Sequence, residues 1–249
     1  MNFMKYSEYY DSFYEKKKYK KEFQFISKIL KLNKNDKLID IGCGTGSHIV
    51  HFARNCKEIC GVDRSKHMLS HAKKKIFKLN LNKKVSFKLC DITKIRINNK
   101  YDKAVILFHT LSYINNEKDL KNFFYYISKI LKKGGLIVMD YWHLPAVLKY
   151  GLKKKKLVVR HNNLKVIRYT RPLKSKTEDV CKLEFKISVF EKNNKKEEFK
   201  EIHIMKPFRK SQIEMYSNKY FKVLNHFTYF KQVLPKDNDW TAITILKKK

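Results

Sequence analysis

In the stretch Leu38-Ile39-Asp40-Ile41-Gly42-Cys43-Gly44-Thr45-Gly46, an apolar run ends in a carboxylate and glycine then recurs at every second position. Ser47-His48-Ile49-Val50-His51-Phe52 follows with the pattern of a helix start. A strand, a tight turn and a helix in that order are the opening of an α/β sheet. The chain has seven glycines, and three of them lie here. Glycine tolerates positive φ and lets a ligand lie against bare main chain. The helix start adds unpaired N–H groups and the positive end of a dipole. The turn is therefore built for something polar that approaches the backbone closely.

A dinucleotide fingerprint carries glycine at its first, third and sixth positions. Here the sixth position is Ser47, and the third glycine falls one place early, at Gly46. The acid Asp40, two residues before Gly42, suits a cationic ligand amine and repels a pyrophosphate. The pattern resembles the cofactor turn of class I S-adenosylmethionine (SAM) methyltransferases. That resemblance implies a Rossmann-like, doubly wound α/β fold with a seven-stranded mixed sheet, SAM as cofactor and no metal. It assigns Asp40, Gly42, Cys43, Gly44 and Gly46 to cofactor binding.

Two more acids strengthen the pattern. Ile59-Cys60-Gly61-Val62-Asp63 is a second strand ending in a carboxylate, 17 residues beyond Gly46. That is near the spacing at which an acid meets ribose hydroxyls. Capping of the helix that begins at Ser65 is compatible with this role. Val85–Leu89 alternates into Cys90-Asp91-Ile92. Three acids, Asp40, Asp63 and Asp91, thus end three successive strands, and in an open α/β sheet those ends share the edge where ligands bind. The resemblance implies that Asp63 with Arg64 serves the ribose, that Met68 packs on the adenine, and that Asp91 and the Ile92 backbone read its edge. Tyr101–Phe108 is a buried parallel strand by its continuous apolar run. By the same resemblance the Phe108 backbone meets the SAM amino group, and the loop His109-Thr110-Leu111-Ser112-Tyr113 borders the methyl group.

The N-terminal segment carries apolar or aromatic residues at Tyr9, Phe13, Tyr19, Phe23, Ile26, Ile29 and Leu30, at roughly helical spacing. Packing at the domain edge and a lid over the cofactor (residues 1–35) are the two readings of this stretch. Tyr10-Asp11-Ser12-Phe13-Tyr14 and Lys18-Tyr19-Lys20-Lys21-Glu22 resemble a narrower group, the SAM-dependent enzymes that N-methylate amino groups of nucleotide-linked sugars. Tyr19 joins the cofactor set on that ground. Tyr14, Tyr113 and His109 become candidates to orient the acceptor or take its proton. Tyr113 stands where some members carry His, and His109 and Thr110 stand where small hydroxyl residues are usual.

Leu120–Leu131 has helical periodicity, with Lys132-Lys133-Gly134-Gly135 expected as its C-cap and Leu136–Trp142 as the fifth strand. Beyond it, Lys156–Tyr169, Val180–Phe190 and Phe199–Met205 form β-branched and aromatic runs. Polar turns such as Asn162-Asn163 and Asn193-Asn194 separate them. They imply an antiparallel β insertion, residues 150–208, within a single domain 1–249. Glu201, His203 and Met205 share one strand face. A solvated or dimer-facing strand is favoured there; the sharper alternative turns His203, with Arg168, toward substrate. Arg209–Tyr220 is expected as a helix, with Phe221–Tyr229 and Trp240–Leu246 closing the sheet as an antiparallel hairpin.

The formal net charge of +34 invites a nucleic-acid partner. The charge is nearly all lysine, however, and arginine, the usual base-reading residue, is scarce. A solvated lysine surface is the leading explanation, ahead of an anionic substrate or RNA. Five cysteines without a CxxC indicate neither a zinc ribbon nor a thioredoxin site. No signal-peptide core follows Met1-Asn2-Phe3, and no run is long enough to span a membrane. A reduced, cytoplasmic homodimer is expected, transferring a methyl group to a small molecule such as an anionic nucleotide-linked amino sugar. An O-methyltransferase, an RNA methyltransferase and a non-catalytic SAM-binding protein are the alternatives.

Overall fold

The computed structural model describes residues 4–98, 100–161, 163–175, 177, 179–192 and 194–249. Two helices lead, α1 (Tyr6–Tyr14) and α2 (Tyr19–Leu30). The alternating half follows: β1 (Lys37–Ile41), α3 (Ile49–Phe52), β2 (Glu58–Asp63), α4 (Lys66–Lys78), β3 (Val85–Leu89), β4 (Tyr101–Ile106), α5 (Glu117–Ile130) and β5 (Leu131–Trp142). Next come α6 (Leu144–Tyr150), then β6 (Lys155–His161), β7 (Leu164–Leu173), β8 (Cys181–Glu191) and β9 (Asn194–Met205). The chain closes with α7 (Lys210–Ser217), β10 (Phe221–Thr228) and β11 (Thr241–Lys248).

Seven strands form one mixed sheet in the order β10-β11-β5-β4-β1-β2-β3. The first five strands in sequence pair in parallel, while β11 runs antiparallel to both β5 and β10. Leu38, Ile39 and Ile41 of β1 are fully buried, as a central strand covered on both faces requires. One core packs Phe123, Phe124 and Ile127 of α5 on one side of the sheet. The other packs Ile26 and Leu30 of α2, Phe52 of α3 and Ile76 of α4. Each such side chain contributes roughly 1.5–3 kcal/mol by its burial. The chain leaves β1 toward β2 and β3 on one side and returns through β4 and β5 on the other. That reversal opens a crevice at the carboxyl ends of β1 and β4, where ligands bind in such sheets.

β6, β7, β8 and β9 form a second, antiparallel sheet in sequence order. Val166, Ile187 and Val189 on its inner face pack against Tyr6, Tyr9 and Phe13 of α1. The first helix is thereby held between the second sheet and the glycine turn.

Four local features differ from the sequence expectation. The helical stretch over residues 8–32 is two helices, broken at the lysine run, where Lys18 leaves helical geometry with φ −80° and ψ 52°. The helix after the glycine turn is only four residues long. The Gly134-Gly135 pair does not cap α5. Leu131 is already extended and pairs with Tyr101 of β4, and Gly134, at φ +76°, lies inside β5 near a register shift. Parallel pairing and the burial of Leu131 outweigh the local glycine signal there. Helix α6 was not anticipated, although Pro145 in its first turn and Gly151 after its end are fitting start and stop residues. The expected turns at Asn162-Asn163 and Asn193-Asn194 each include a position, Asn162 and Asn193, outside the described residues.

Candidate active site

A cavity of about 860 Å³ opens at the carboxyl ends of β1 to β4 and runs to the inner face of the second sheet. Three of the four polar walls at its sheet end come from the strand-terminal acids. Asp40 is buried, and no described side chain or backbone N–H donates a hydrogen bond to its carboxylate. Burial pushes its carboxyl up to about 8, and repulsion from Asp63 and Asp140 adds to the rise. Asp63 accepts from the Gly44 N–H at 2.9 Å and from the Ser65 N–H at 2.8 Å. Burial raises its pKa, and these two N–H groups pull the other way. Asp91 accepts from the Thr93 N–H at 2.8 Å and the Thr93 hydroxyl at 2.7 Å through one oxygen. Burial opposes its charge, but the Thr93 bonds outweigh burial and hold it below the usual carboxylate range.

The glycines divide the work of the turn. A Cβ on Gly42, at φ +77°, would fall 2.2 Å from Thr110 Cγ2, so the turn packs directly on the β4 loop. A Cβ on Gly44, at φ +54°, would meet nothing within 4 Å. Its bare face is a wall of the cavity.

The fourth wall is the end of β4. Phe108 and His109 both take left-handed backbone conformations, φ +59° and +62°, which L-residues adopt at a cost of about 1–2 kcal/mol each. Asp140 compensates. Its carboxylate accepts from the Phe108 N–H at 3.0 Å, the His109 N–H at 2.6 Å and the Tyr229 hydroxyl at 2.5 Å. The His109 ring reaches Thr241 Oγ1 through Nε2 at 2.9 Å, and burial lowers its pKa, so it is neutral.

Helices α1 and α2 cover the other side. Asp11 accepts from Thr45 Oγ1 at 2.6 Å and pairs with Lys75 at 2.9 Å, joining α1 to the glycine turn and to α4. Beneath Tyr19, buried His48 meets Glu22 at 2.8 Å, and Lys17 pairs with the same carboxylate. Burial holds His48 below the ordinary imidazole range, so it donates to Glu22 as a neutral ring. The Lys17 ammonium lies 4.7 Å from the Tyr19 ring centre and 4.6 Å from that of Phe108. On the second sheet, Arg168 donates to the hydroxyls of Tyr6 at 2.5 Å and Tyr14 at 2.9 Å. The Tyr14 ring stands edge-on to Phe108 with centroids 4.7 Å apart. Tyr113 reaches His203 at 2.9 Å.

The cavity wall brings together Tyr14, Tyr19, Asp40, Gly42, Cys43, Gly44, Asp63, Arg64, Met68, Asp91, Ile92, Phe108, His109 and Tyr113. Gly46 is not on the wall. A Cβ there would sit 3.2 Å from Ala72 Cβ, so this glycine lets α4 approach the turn. Asp140 and His48 were not singled out in the sequence, and Asp11 and Glu22 entered only as members of the N-terminal segments that carry the resemblance. Asp140 ends no strand, and its partners 31 and 32 residues away carry no marking in the sequence. His203 and Arg168, set aside in favour of a solvated strand, lie on the inner face and are almost fully buried.

A family model described as "Methyltransferase domain" matches residues 32–203. The dTDP-3-amino-3,4,6-trideoxy-alpha-D-glucopyranose N,N-dimethyltransferase of Streptomyces venezuelae is 24% identical over 177 residues, 71% of each chain. Further relatives are matched over 41–57% of their own length. A SAM-dependent methyltransferase from Clostridium acetobutylicum ATCC 824 superposes with a TM-score of 0.82 at 22% identity, over 98% of each chain. Streptomyces venezuelae DesVI does so with a TM-score of 0.81 at 20% identity, also over 98% of each chain. At these identities the two structures speak to the fold. With the family model spanning more than half of its length, this chain belongs to the methyltransferase-domain family and is a class I SAM-dependent methyltransferase.

Proposed function

We propose that the protein N-methylates a small molecule, namely the amino group of a nucleotide-linked sugar. The observation that carries this reading is a single cavity joining the strand-end acids to a chamber of phenols between α1 and the second sheet. Its volume lies in the range of sites that enclose a cofactor and a small ligand. The dTDP-amino-sugar N,N-dimethyltransferase named above supports the same class of acceptor.

The residues present fit SAM. Asp40 is a buried carboxylate with only repulsive neighbours, and a cationic ligand supplies what it lacks. In this reading Asp40 takes the ligand's ammonium group. Asp63, with Arg64 beside it, accepts from the ribose. Met68, Asp91 and the Ile92 backbone hold the adenine. Tyr19 and the Phe108 backbone border the amino-acid end. When bound, SAM supplies an electrophilic methyl group, so the chain's main task is alignment, which can contribute about 7–11 kcal/mol. Tyr14 and Tyr113 face the chamber and orient the acceptor nitrogen. Burial there disfavours an ammonium ion, so the acceptor is held as the neutral, nucleophilic amine. His109, with Nε2 held by Thr241, has Nδ1 left for the same task.

The proposal takes residues 1–249 as one domain, with 1–35 as its lid and 150–208 as the insertion that carries the chamber's outer wall. It extends to a cytoplasmic homodimer joined through the second sheet's outer face, where Val158, Tyr169, Ile202 and Ile204 are 38–43% exposed. Light scattering that gives a monomer at micromolar concentration rejects the dimer. No helix among the described residues is long and apolar enough to cross a membrane.

The test is incubation with SAM and a panel of nucleotide-linked amino sugars, read by mass spectrometry. A gain of one or two methyl groups on nitrogen is expected. Transfer confined to hydroxyl acceptors or to RNA rejects the amine assignment.

A further inference from the structure

At the acceptor end of the cavity, side chains from three separate elements meet. Tyr113 stands on the short 3-10 turn Thr110–Tyr113 after β4. Its hydroxyl lies 2.9 Å from His203 Nδ1 on β9. His203 Nε2 points at Glu201 Oε2, 3.5 Å away on the same strand. The His203 ring is clamped against Phe185 of β8, centroids 4.1 Å apart and planes 31° apart. Tyr113, His203 and Glu201 all border the cavity.

Two features of this cluster call for a role beyond packing. Glu201 Oε2 is buried and accepts no hydrogen bond from a described residue, a state that is unfavourable for a carboxylate. At 3.5 Å it is too far from Nε2 for a strong hydrogen bond to a neutral ring. It is close enough to tighten on a charged one. Tyr113 Oη, in turn, has His203 Nδ1 within hydrogen-bond reach and lines the chamber proposed for the acceptor.

The geometry points to a proton relay in which Tyr113 receives the proton of the acceptor nitrogen, His203 takes the phenol's own proton, and Glu201 stabilises the resulting imidazolium. This inference rests on the methyl-transfer reading above. The acceptor amine, an ammonium ion in solution, must lose one proton before it can attack the methyl group. That proton passes to Tyr113 Oη as the Tyr113 proton passes to His203 Nδ1, so the phenol ends as it began. His203 then carries both ring protons, its charge set against Glu201, and returns one proton to water. Tyr113 touches the acceptor. His203 and Glu201 act through it and are positioning residues.

The surroundings of His203 fit this role. Burial is the largest influence on its pKa and keeps it below the ordinary imidazole range, so the resting ring is neutral and can accept. Glu201 opposes that shift from the same strand. Arg168 of β7 adds to it, while its guanidinium holds the Tyr6 and Tyr14 hydroxyls. Tyr6 of α1 lies edge-on to the ring at 5.9 Å, and burial pushes both Tyr6 and Tyr113 above the ordinary phenol range. Each phenol therefore stays protonated and able to donate.

The test uses the full-length protein with S-adenosylhomocysteine bound and histidine labelled with nitrogen-15. The relay requires the neutral Nε2–H tautomer at His203. It also requires that Glu201→Gln lower the His203 pKa further, since the imidazolium loses its partner. In turnover with the accepted amine, His203→Gln is expected to lower kcat roughly 100-fold. It should leave SAM affinity by calorimetry unchanged and remove the acid limb of the kcat–pH profile. Tyr113→Phe should match it, and Glu201→Gln should move that limb to lower pH. An Nδ1–H tautomer, or an acid limb that survives His203→Gln, overturns the relay. The correct tautomer and the Glu201→Gln shift in a protein that methylates only hydroxyl groups would overturn the amine assignment, with the same three residues then taking a hydroxyl proton.

Discussion

Asp40 sits where its own charge is disfavoured, and that has consequences for binding and for stability. With its carboxyl pushed up to about 8 by burial and by its acidic neighbours, Asp40 holds a proton at pH 7 in the unliganded protein. A bound cation expels that proton. Calorimetry of SAM binding at pH 7, in buffers of different ionisation heat, should report release of about one proton. Asp40→Asn should abolish the release and weaken binding at least about 10-fold. The stability effect has the opposite sign. An unfolded aspartate titrates near about 4, so between there and about 8 the native state binds more protons than the unfolded one. Stability therefore falls as pH rises across that window. Asp40→Asn removes this slope and should raise Tm at pH 8 by roughly 2–4 °C, read by thermal scans of the ligand-free protein. A residue that costs stability in the empty fold and matters for binding is what a ligand site predicts.

At the level of the element, the glycine turn and α1 form one assembly. Gly42 and Gly44 share a left-handed backbone but differ in surroundings. Gly42→Ala drives a Cβ into Thr110 at 2.2 Å and should destabilise the fold and abolish SAM binding together. Gly44→Ala meets open space. It should fold with a cost of about 1–2 kcal/mol while weakening the ligand that lies on that face. Thermal scans and calorimetry on the pair separate the two roles. Helix α1 is tied to the turn by Asp11, through Thr45 and Lys75, and to the second sheet by Tyr9 and Lys5, both on Glu197. Asp11→Asn loosens the first tie. Trypsin should then cut the lysine run Lys16–Lys18 several-fold faster than in the parent, and S-adenosylhomocysteine should restore much of the protection. Equal cutting rates would detach α1 from the cofactor site.

Over the whole molecule the charge is the dominant anomaly. The ion pairs among the described residues are mostly exposed, and such pairs contribute little each. They leave an excess of +34 that repels itself. Salt screens that repulsion over a Debye length of about 10 Å at 0.1 M. Raising NaCl from 10 to 300 mM should therefore raise Tm by a few degrees (order of magnitude), whereas a structure held by surface pairs would lose stability. The sheet itself does not depend on this charge. Its two cores are apolar, built mainly of aliphatic and aromatic side chains.

The rhythm of apolar runs, the glycine turn and the three acids at strand ends were enough to specify the α/β sheet, its crevice and the charge of its ligand. Each of those signals is local: strand periodicity, bare backbone and a terminal carboxylate lie within a few residues of one another. The C-cap at Gly134-Gly135 failed because Leu131 pairs with Tyr101 across the sheet, a contact that local propensity does not contain. The left-handed pair Phe108 and His109 was hidden because neither is glycine. Asp140, from the next strand, accepts from both of their N–H groups and so supports that backbone. Tyr113 and His203 lie 90 residues apart in sequence, and no spacing rule links a turn after β4 to the inner face of the second sheet. Sequence alone marked the glycine turn and the three acids that border the crevice. Tertiary packing decided what stands across from them, because the far end of the cavity exists only where α1, the β4 loop and the second sheet close on the same space.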